Sequence, residues 1–286
     1  MTSRLWLLYA IITTVFWGVW GAFIEIPEKA GFPATLGYSV WALTMIPCAL
    51  VALKIIGFKL EYDARAVFLG SAVGFLGAGG QLILFEALRT GPAYLVFPIV
   101  SMYPVLTVIL SATLLHERTG RRSWTGIILA FPAIALLSYQ PPGSSAAHGY
   151  AWLILTFGVA VAWGVQAYVM RFANRTMKAE SIFFYMMATA VVLIPFAVAM
   201  TDFSNGVNWG FKGPYLAALI QVLNAIGALT LVYALRYGKA IVVVPMTALA
   251  PMLTVIISLI LYQVIPHPFV VTGLVLAAIA MLLMAE

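Results

Sequence analysis

Apolar runs of about twenty residues, separated by short polar links, recur along the whole chain. A membrane-crossing helix needs roughly 20 mostly apolar residues. By that measure the pattern predicts spans near 5–24, 36–54, 66–88, 93–115, 123–139, 149–170, 181–200, 214–235, 239–262 and 267–285. Links as short as Thr90-Gly91-Pro92 and Tyr237-Gly238 leave room only for antiparallel neighbours. The expected fold class is an all-α membrane protein with ten transmembrane helices.

The pattern is written twice. Ala87, Leu88, Arg89, Gly91, Ala93, Val96, Pro98, Pro104, Thr107 and Ser111 recur 147 residues later as Ala234, Leu235, Arg236, Gly238, Ala240, Val243, Pro245, Pro251, Thr254 and Ser258. Trp17-Gly18-Val19 returns as Trp163-Gly164-Val165, Ile46-Pro47 as Ile194-Pro195, and Thr125-Gly126 as Thr272-Gly273. All these pairs lie 146 to 148 residues apart, so the halves are nearly collinear. Residues 1–140 form the first five-helix repeat and 149–286 the second, with 141–148 as an external linker. A duplicated apolar unit with paired prolines marks a transporter built from two halves.

Basic residues orient the spans. With the N-terminus inside, the inner segments hold 12 of the 15 lysines and arginines, and the outer loops hold only Lys29, Arg89 and Lys212. The positive-inside rule then puts both termini in the cytoplasm. Each half has five spans, an odd number, so the second enters from the opposite face and the repeat is five-plus-five and inverted. Composition agrees: 64% of residues are hydrophobic and 8% charged, against roughly 25% charged in an average soluble domain. The net charge of +6 follows from the basic loops and signals no nucleic-acid partner. The one cysteine, Cys48, excludes a disulfide framework, and His116, His148 and His267 lie in or beside loops. No small-residue cleavage site follows the first run, which reads as a span and not a removed leader.

A polar solute crosses hydrocarbon only along polar groups or irregular backbone. Polar residues near mid-span are few: Gln81, Gln166, Gln221 and Asn224. Gln221 and Asn224 share a helical face, as do Trp163 and Gln166, and Trp17 and Trp20. The same amides would also serve as interhelical glue. A helical proline frees the carbonyl four residues back, so Pro98, Pro104, Pro245 and Pro251 are candidate hinges for a gate. Tyr94 and Ser101 share a face of span four, and Tyr103 sits beside Pro104. Glu25 and Glu86 are expected at the outer mouth, with a local Glu86–Arg89 ion pair as the simpler reading. Glu61, Asp63, Glu117 and Glu180 are expected as solvated loop charges. Gly70, Gly74 and Gly77 are expected to serve close helix packing.

Ten spans, an inverted five-plus-five repeat and a doubled AL-R-G-A…P…P…T signature after span three resemble the EamA-type permeases of the drug/metabolite transporter superfamily, over essentially the whole chain. Such members are bacterial inner-membrane carriers of amino acids, metabolites, quaternary ammonium compounds or other small organics, and relatives elsewhere carry nucleotide sugars. They often end span four with Gly-Glu. This chain has His116-Glu117 there and Gln263-Val264 in the second half. The resemblance implies a multi-pass protein of the inner (plasma) membrane whose partners are the bilayer and a small-molecule substrate. No cofactor is called for, and a homodimer is left open. Intramembrane catalysis would need paired acids, a Ser/His pair or a metal cluster within the spans, and no HExxH or Walker-type phosphate loop is present. The expected activity is therefore secondary transport of a small neutral, zwitterionic or cationic solute by alternating access. A membrane-embedded enzyme or sensor is the alternative.

Overall fold

The computed structural model describes residues 4–139, 150–204, 206–262 and 267–285, with the side chains of Ala93, Tyr94 and Tyr262 outside the description. The described residues are helical, with no strand among them. The first half contains α1 (Leu5–Phe23), α2 (Glu25–Lys29), α3 (Ala34–Ile55), α4 (Ala64–Gly74), α5 (Gly80–Thr90), α6 (Ala93–Ser101), α7 (Tyr103–Thr113) and α8 (Arg121–Leu137). The second contains α9 (Ala151–Ala173), α10 (Ala179–Val192), α11 (Ile194–Ala199), α12 (Leu216–Tyr237), α13 (Ala240–Thr247), α14 (Ala250–Tyr262) and α15 (Pro268–Met284). Among the described residues, eight helical stretches are long and apolar enough to cross a membrane. The remaining two predicted spans appear as α8 and α15, of 17 residues each.

Each of the three broken spans resumes with a proline in second place, while Pro47 and Pro132 sit inside unbroken helices. Pro104 is the second residue of α7 and Pro251 the second of α14, and each follows directly on a break in its span. Having no N–H, each leaves the carbonyl four residues back unbonded, which lets the chain restart at a new angle. Pro195 breaks span seven into α10 and α11 in the same way. Pro98 and Pro245 lie inside α6 and α13, one turn before the breaks. Span three is continuous but passes through a π-helical turn, Phe75–Gly79, between α4 and α5. The corresponding stretch of α12 is ordinary α-helix.

The halves pack crosswise in matched pairs. Helix α1 lies against α12 as α9 lies against α5; α3 against α12 as α10 against α4; and α1 against α14 as α9 against α7. Repeat counterparts also meet each other. Gly126 of α8 faces Ala280 and Met284 of α15, while Gly273 of α15 faces Ala133 and Leu136 of α8, so these two run antiparallel. Tyr38–Ala190 and Thr35–Thr201 set α3 antiparallel to α10 and α11. Counterparts in opposite directions are what an inverted duplication produces. Gly70 and Gly74 receive Tyr185 and Thr189 of α10 where side chains would otherwise sit, which is close packing through small residues.

Candidate functional site

The repeated Trp-Gly pair forms the same joint in each half. Trp17 Nε1 on α1 donates to the Asn224 carbonyl at 3.4 Å, and Trp163 Nε1 on α9 donates to the Gly77 carbonyl at 3.2 Å. Positions 77 and 224 are repeat counterparts. The adjacent glycines admit the broken helices. The Thr254 hydroxyl donates to the Gly18 carbonyl and the Thr107 hydroxyl to the Gly164 carbonyl, each at 2.9 Å. A Cβ at Gly18 would stand 3.0 Å from the Ala250 oxygen, and one at Gly164 2.9 Å from the Tyr103 oxygen. Backbone cannot yield as a side-chain tip can. Gly164→Ala is therefore expected to lower stability by about 1–3 kcal/mol, readable as a reduced melting temperature. An unchanged melt would mean that α7 can shift freely away from α9.

The amides around these joints differ between halves. In the α1–α12 cluster Trp20 Nε1 donates to Gln221 Oε1 at 3.0 Å, Asn224 Nδ2 to the same oxygen at 3.4 Å, and Gln221 Nε2 to the Gly37 carbonyl at 3.2 Å. Gln221 is thus buried and spoken for. In the α9 cluster the counterpart of Trp20 is Gln166, which lies over Gly77 of the π turn. Tyr103 stands edge-on to Trp163 with ring centroids 6.0 Å apart. Gln81, four residues past Gly77, Tyr103 and Gln166 are half-buried. None of their polar ends has a hydrogen-bond partner among the described residues. Ser101 donates to the Phe97 carbonyl at 2.6 Å and accepts from Ser138 at 2.7 Å, which ties α6 to α8. The Tyr94 side chain lies outside the described residues. The structure therefore gathers Tyr103, Trp163 and Gln166 in one place and Trp17, Trp20, Gln221 and Asn224 in another. Glu86 pairs with Arg89 and Glu25 with Lys29, each on its own helix turn.

The two ends of the broken helices are packed unequally. Every residue of α13 is buried, whereas in its counterpart α6 only Val96 and Val100 are buried among the described side chains. Thr107 and Ser111 of α7 are fully buried, and their counterparts Thr254 and Ser258 of α14 only half so. Helix α7 packs against α13, and the counterpart pair, α14 and α6, makes no comparable contact. The end carrying α7 and α13 is closed, and the end carrying α6 and α14 is open by comparison.

At the closed end Glu117 corrects the sequence reading. It is not a solvated loop charge: only 4% of its side chain is exposed, and Oε1 accepts from Arg171 Nε at 2.7 Å. Oε2 accepts from the Ile241 backbone N–H at 3.1 Å, in the first turn of α13. Arg171 also donates to the carbonyls of Leu235 and Arg236 at the end of α12. Glu61, Asp63 and Glu180 are engaged too. Asp63 caps α4, Glu61 accepts from the Lys178 N–H, and Glu180 accepts from the Tyr233 hydroxyl.

The sequence profile of the EamA-like transporter family matches residues 4–139 and again 150–285. The chain belongs to that family. Two family repeats in tandem make it an EamA-type permease of the drug/metabolite transporter superfamily, a multi-pass membrane protein. It is 31% identical over 135 residues to the uncharacterized protein MJ1333.1 of Methanocaldococcus jannaschii, an alignment covering 45% of this chain and 96% of that protein. That relative therefore has about the length of one repeat. A protein of known crystal structure superposes with a TM-score of 0.77 at 17% identity, covering 96% of this chain and 97% of that one. At that identity the likeness concerns the fold.

Against the family pattern, the departure to His at position 116 has a local consequence. His116 takes the left-handed conformation, φ 54°, which glycine adopts without penalty and other residues at a cost of roughly 1–2 kcal/mol. His116→Gly is accordingly expected to be tolerated or mildly stabilising in a melt, and a clear loss would show that the imidazole itself does structural work. The turn carries Glu117 back into the protein, where its N–H donates to the Ser111 carbonyl at 3.0 Å. Arg171 was missed as a partner because 54 residues separate it from Glu117. The available signal was the family's Glu after span four.

Proposed function

We propose that this permease is a secondary carrier that moves a small neutral, zwitterionic or cationic organic solute by alternating access. The observation that carries the reading is the unequal packing of symmetric parts: α7 closes on α13 while α6 and α14 stay apart. A carrier built from inverted halves changes face by exchanging those two arrangements. Tyr103, at the α6–α7 break, and Gln166, over the π turn, flank Trp163 with polar ends that have no protein partner among the described residues, which leaves them available to a solute. Lysines and arginines fall in loops or at span ends, which disfavours a strongly anionic cargo. A thermal-shift screen against amino acids, amines, nucleosides and sugars tests the reading, since a ligand of the folded state raises its melting point. Absence of any stabilising solute across these classes would favour the enzyme or sensor reading.

The same proposal places ten spans across the inner (plasma) membrane with both termini cytoplasmic, following the distribution of basic residues. Cysteines introduced by Ser123→Cys and Ser144→Cys in a Cys48→Ser background report the two faces. An impermeant thiol reagent on intact cells is expected to label position 144 and spare 123. Labelling only at 123 would invert the topology. The breaks at Pro104 and Pro251 are the proposed hinges, with Pro98 and Pro245 one turn away. Pro104→Ala and Pro251→Ala are expected to slow transport of any solute found in the screen more than they reduce expression. Normal rates in both would leave these prolines a packing role.

A further inference from the structure

Within the carrier reading, we infer that Glu117 and Arg171 form a one-sided latch that makes the state closed at the α7–α13 end the resting state. Glu117 follows α7 in the first half, and both donors to its carboxylate, Arg171 and the Ile241 N–H, belong to the second half. Its Oε2 accepts directly from Ile241 in the first turn of α13, so α7 cannot leave α13 without breaking that bond. Its Oε1 holds Arg171 at the end of α9. The guanidinium in turn satisfies the Leu235 and Arg236 carbonyls at 2.8 and 3.2 Å. These are among the last carbonyls of α12, which have no partner within the helix. One carboxylate and one guanidinium thus bind three helix ends together. Both charges are largely removed from water, with 4% and 18% of their side chains exposed.

The inverted duplication supplies an internal control. In the repeated sequence the counterpart of Arg171 is Glu25 and that of Glu117 is Val264, which lies outside the described residues. Glu25 is paired with Lys29 on its own short helix and 57% of its side chain is exposed. Valine can form no ion pair. A buried, geometrically matched pair therefore acts on one conformation alone, and a contact made in one state only shifts the population toward it. Two other features also distinguish this end, the Arg175–Leu115 and Lys239–Arg118 carbonyl bonds. The first joins the segment after α7 to Arg175, beyond the end of α9. The second ties that segment to the N-cap of α13 through an exposed lysine, so the buried bridge to α13 is that of Glu117.

The test uses the full-length protein in lipid nanodiscs, in a Cys48→Ser background, with spin-label distances as readout. Thr113→Cys with Tyr237→Cys reports the latched end, and Leu95→Cys with Leu261→Cys the other; all four side chains are exposed in the structure or lie at its surface. Glu117→Gln is expected to raise the ratio of long to short distances at the latched pair by at least roughly tenfold, as loss of a charge-assisted hydrogen bond made in one state alone implies, and to shorten the opposite pair. Glu117→Asp, which keeps the charge but cannot reach both Arg171 and Ile241, should give a smaller shift in the same direction and serves if the glutamine variant folds poorly. Two populations in the wild type that neither variant redistributes would overturn the latch and leave the carrier reading intact. A single unchanged distance at both pairs in all three proteins would overturn both.

Discussion

Replacing Arg171 with alanine is expected to lower stability by about 3–5 kcal/mol, the usual cost of leaving one member of a buried ion pair uncompensated. The loss falls on three sites at once. Glu117, 7% exposed as a residue, would keep only the Ile241 N–H, and the carbonyls of Leu235 and Arg236 would lose their donor. Arg171→Lys should recover part of the loss, because a lysine supplies the charge without the planar fork that reaches Glu117 and both carbonyls together. The informative variant is the double substitution Glu117→Gln with Arg171→Met. Removing both charges avoids the orphaned carboxylate, and such replacements are often close to neutral. Melting curves in detergent should therefore rank the double variant above Arg171→Ala. If Arg171→Ala melts like the wild type, water reaches Glu117 and the pair is not buried in the working protein.

Gln166→Ala should weaken solute binding by about 1–3 kcal/mol, the cost of leaving a buried polar group of the ligand without its partner, or roughly 5- to 150-fold in affinity. The melting temperature of the empty protein should hardly move, since Gln166 has no hydrogen bond among the described residues to lose. Gln221→Ala should do the reverse. Its amide joins Trp20, Asn224 and the Gly37 carbonyl, so its removal should cost stability first. Asn224 combines both traits: its amide nitrogen is bonded to Gln221 while its oxygen is not, so Asn224→Ala should affect stability and binding together. Affinity unchanged in both Gln166→Ala and Asn224→Ala, in protein that folds, would move the site away from these helices. A melting temperature that collapses in Gln166→Ala would instead make that residue interhelical glue.

The local rules of the chain were sufficient for much of this architecture. Apolar runs of spanning length specify helices because no other open structure satisfies its backbone bonds in hydrocarbon. Pro104 and Pro251 lack an N–H wherever they are placed, so a lost helical bond in spans four and nine follows from residue type. Pro47 and Pro132, however, sit inside unbroken α3 and α8, so which proline breaks its span is decided by packing. The duplication was legible because Trp-Gly, Thr and Pro recur at a fixed offset, and the structure supplies the reason for that recurrence in the Trp17–Asn224 and Trp163–Gly77 bonds and the Thr-to-Gly contacts. What local pattern could not decide was pairing at long range. Gln221 and Gln166 look alike as mid-span amides, yet one is saturated by three helices and the other by none of the described residues, a difference set by which neighbours the crosswise packing brings. Glu117 reads as a loop acid until the left-handed turn at His116 carries it toward Arg171. The difference between the two ends was the least legible of all. The repeats share the Trp-Gly, proline and threonine positions that shape both broken helices, so the difference between the ends has to come from tertiary contacts made at one of them, such as those of Glu117 with Arg171 and Ile241.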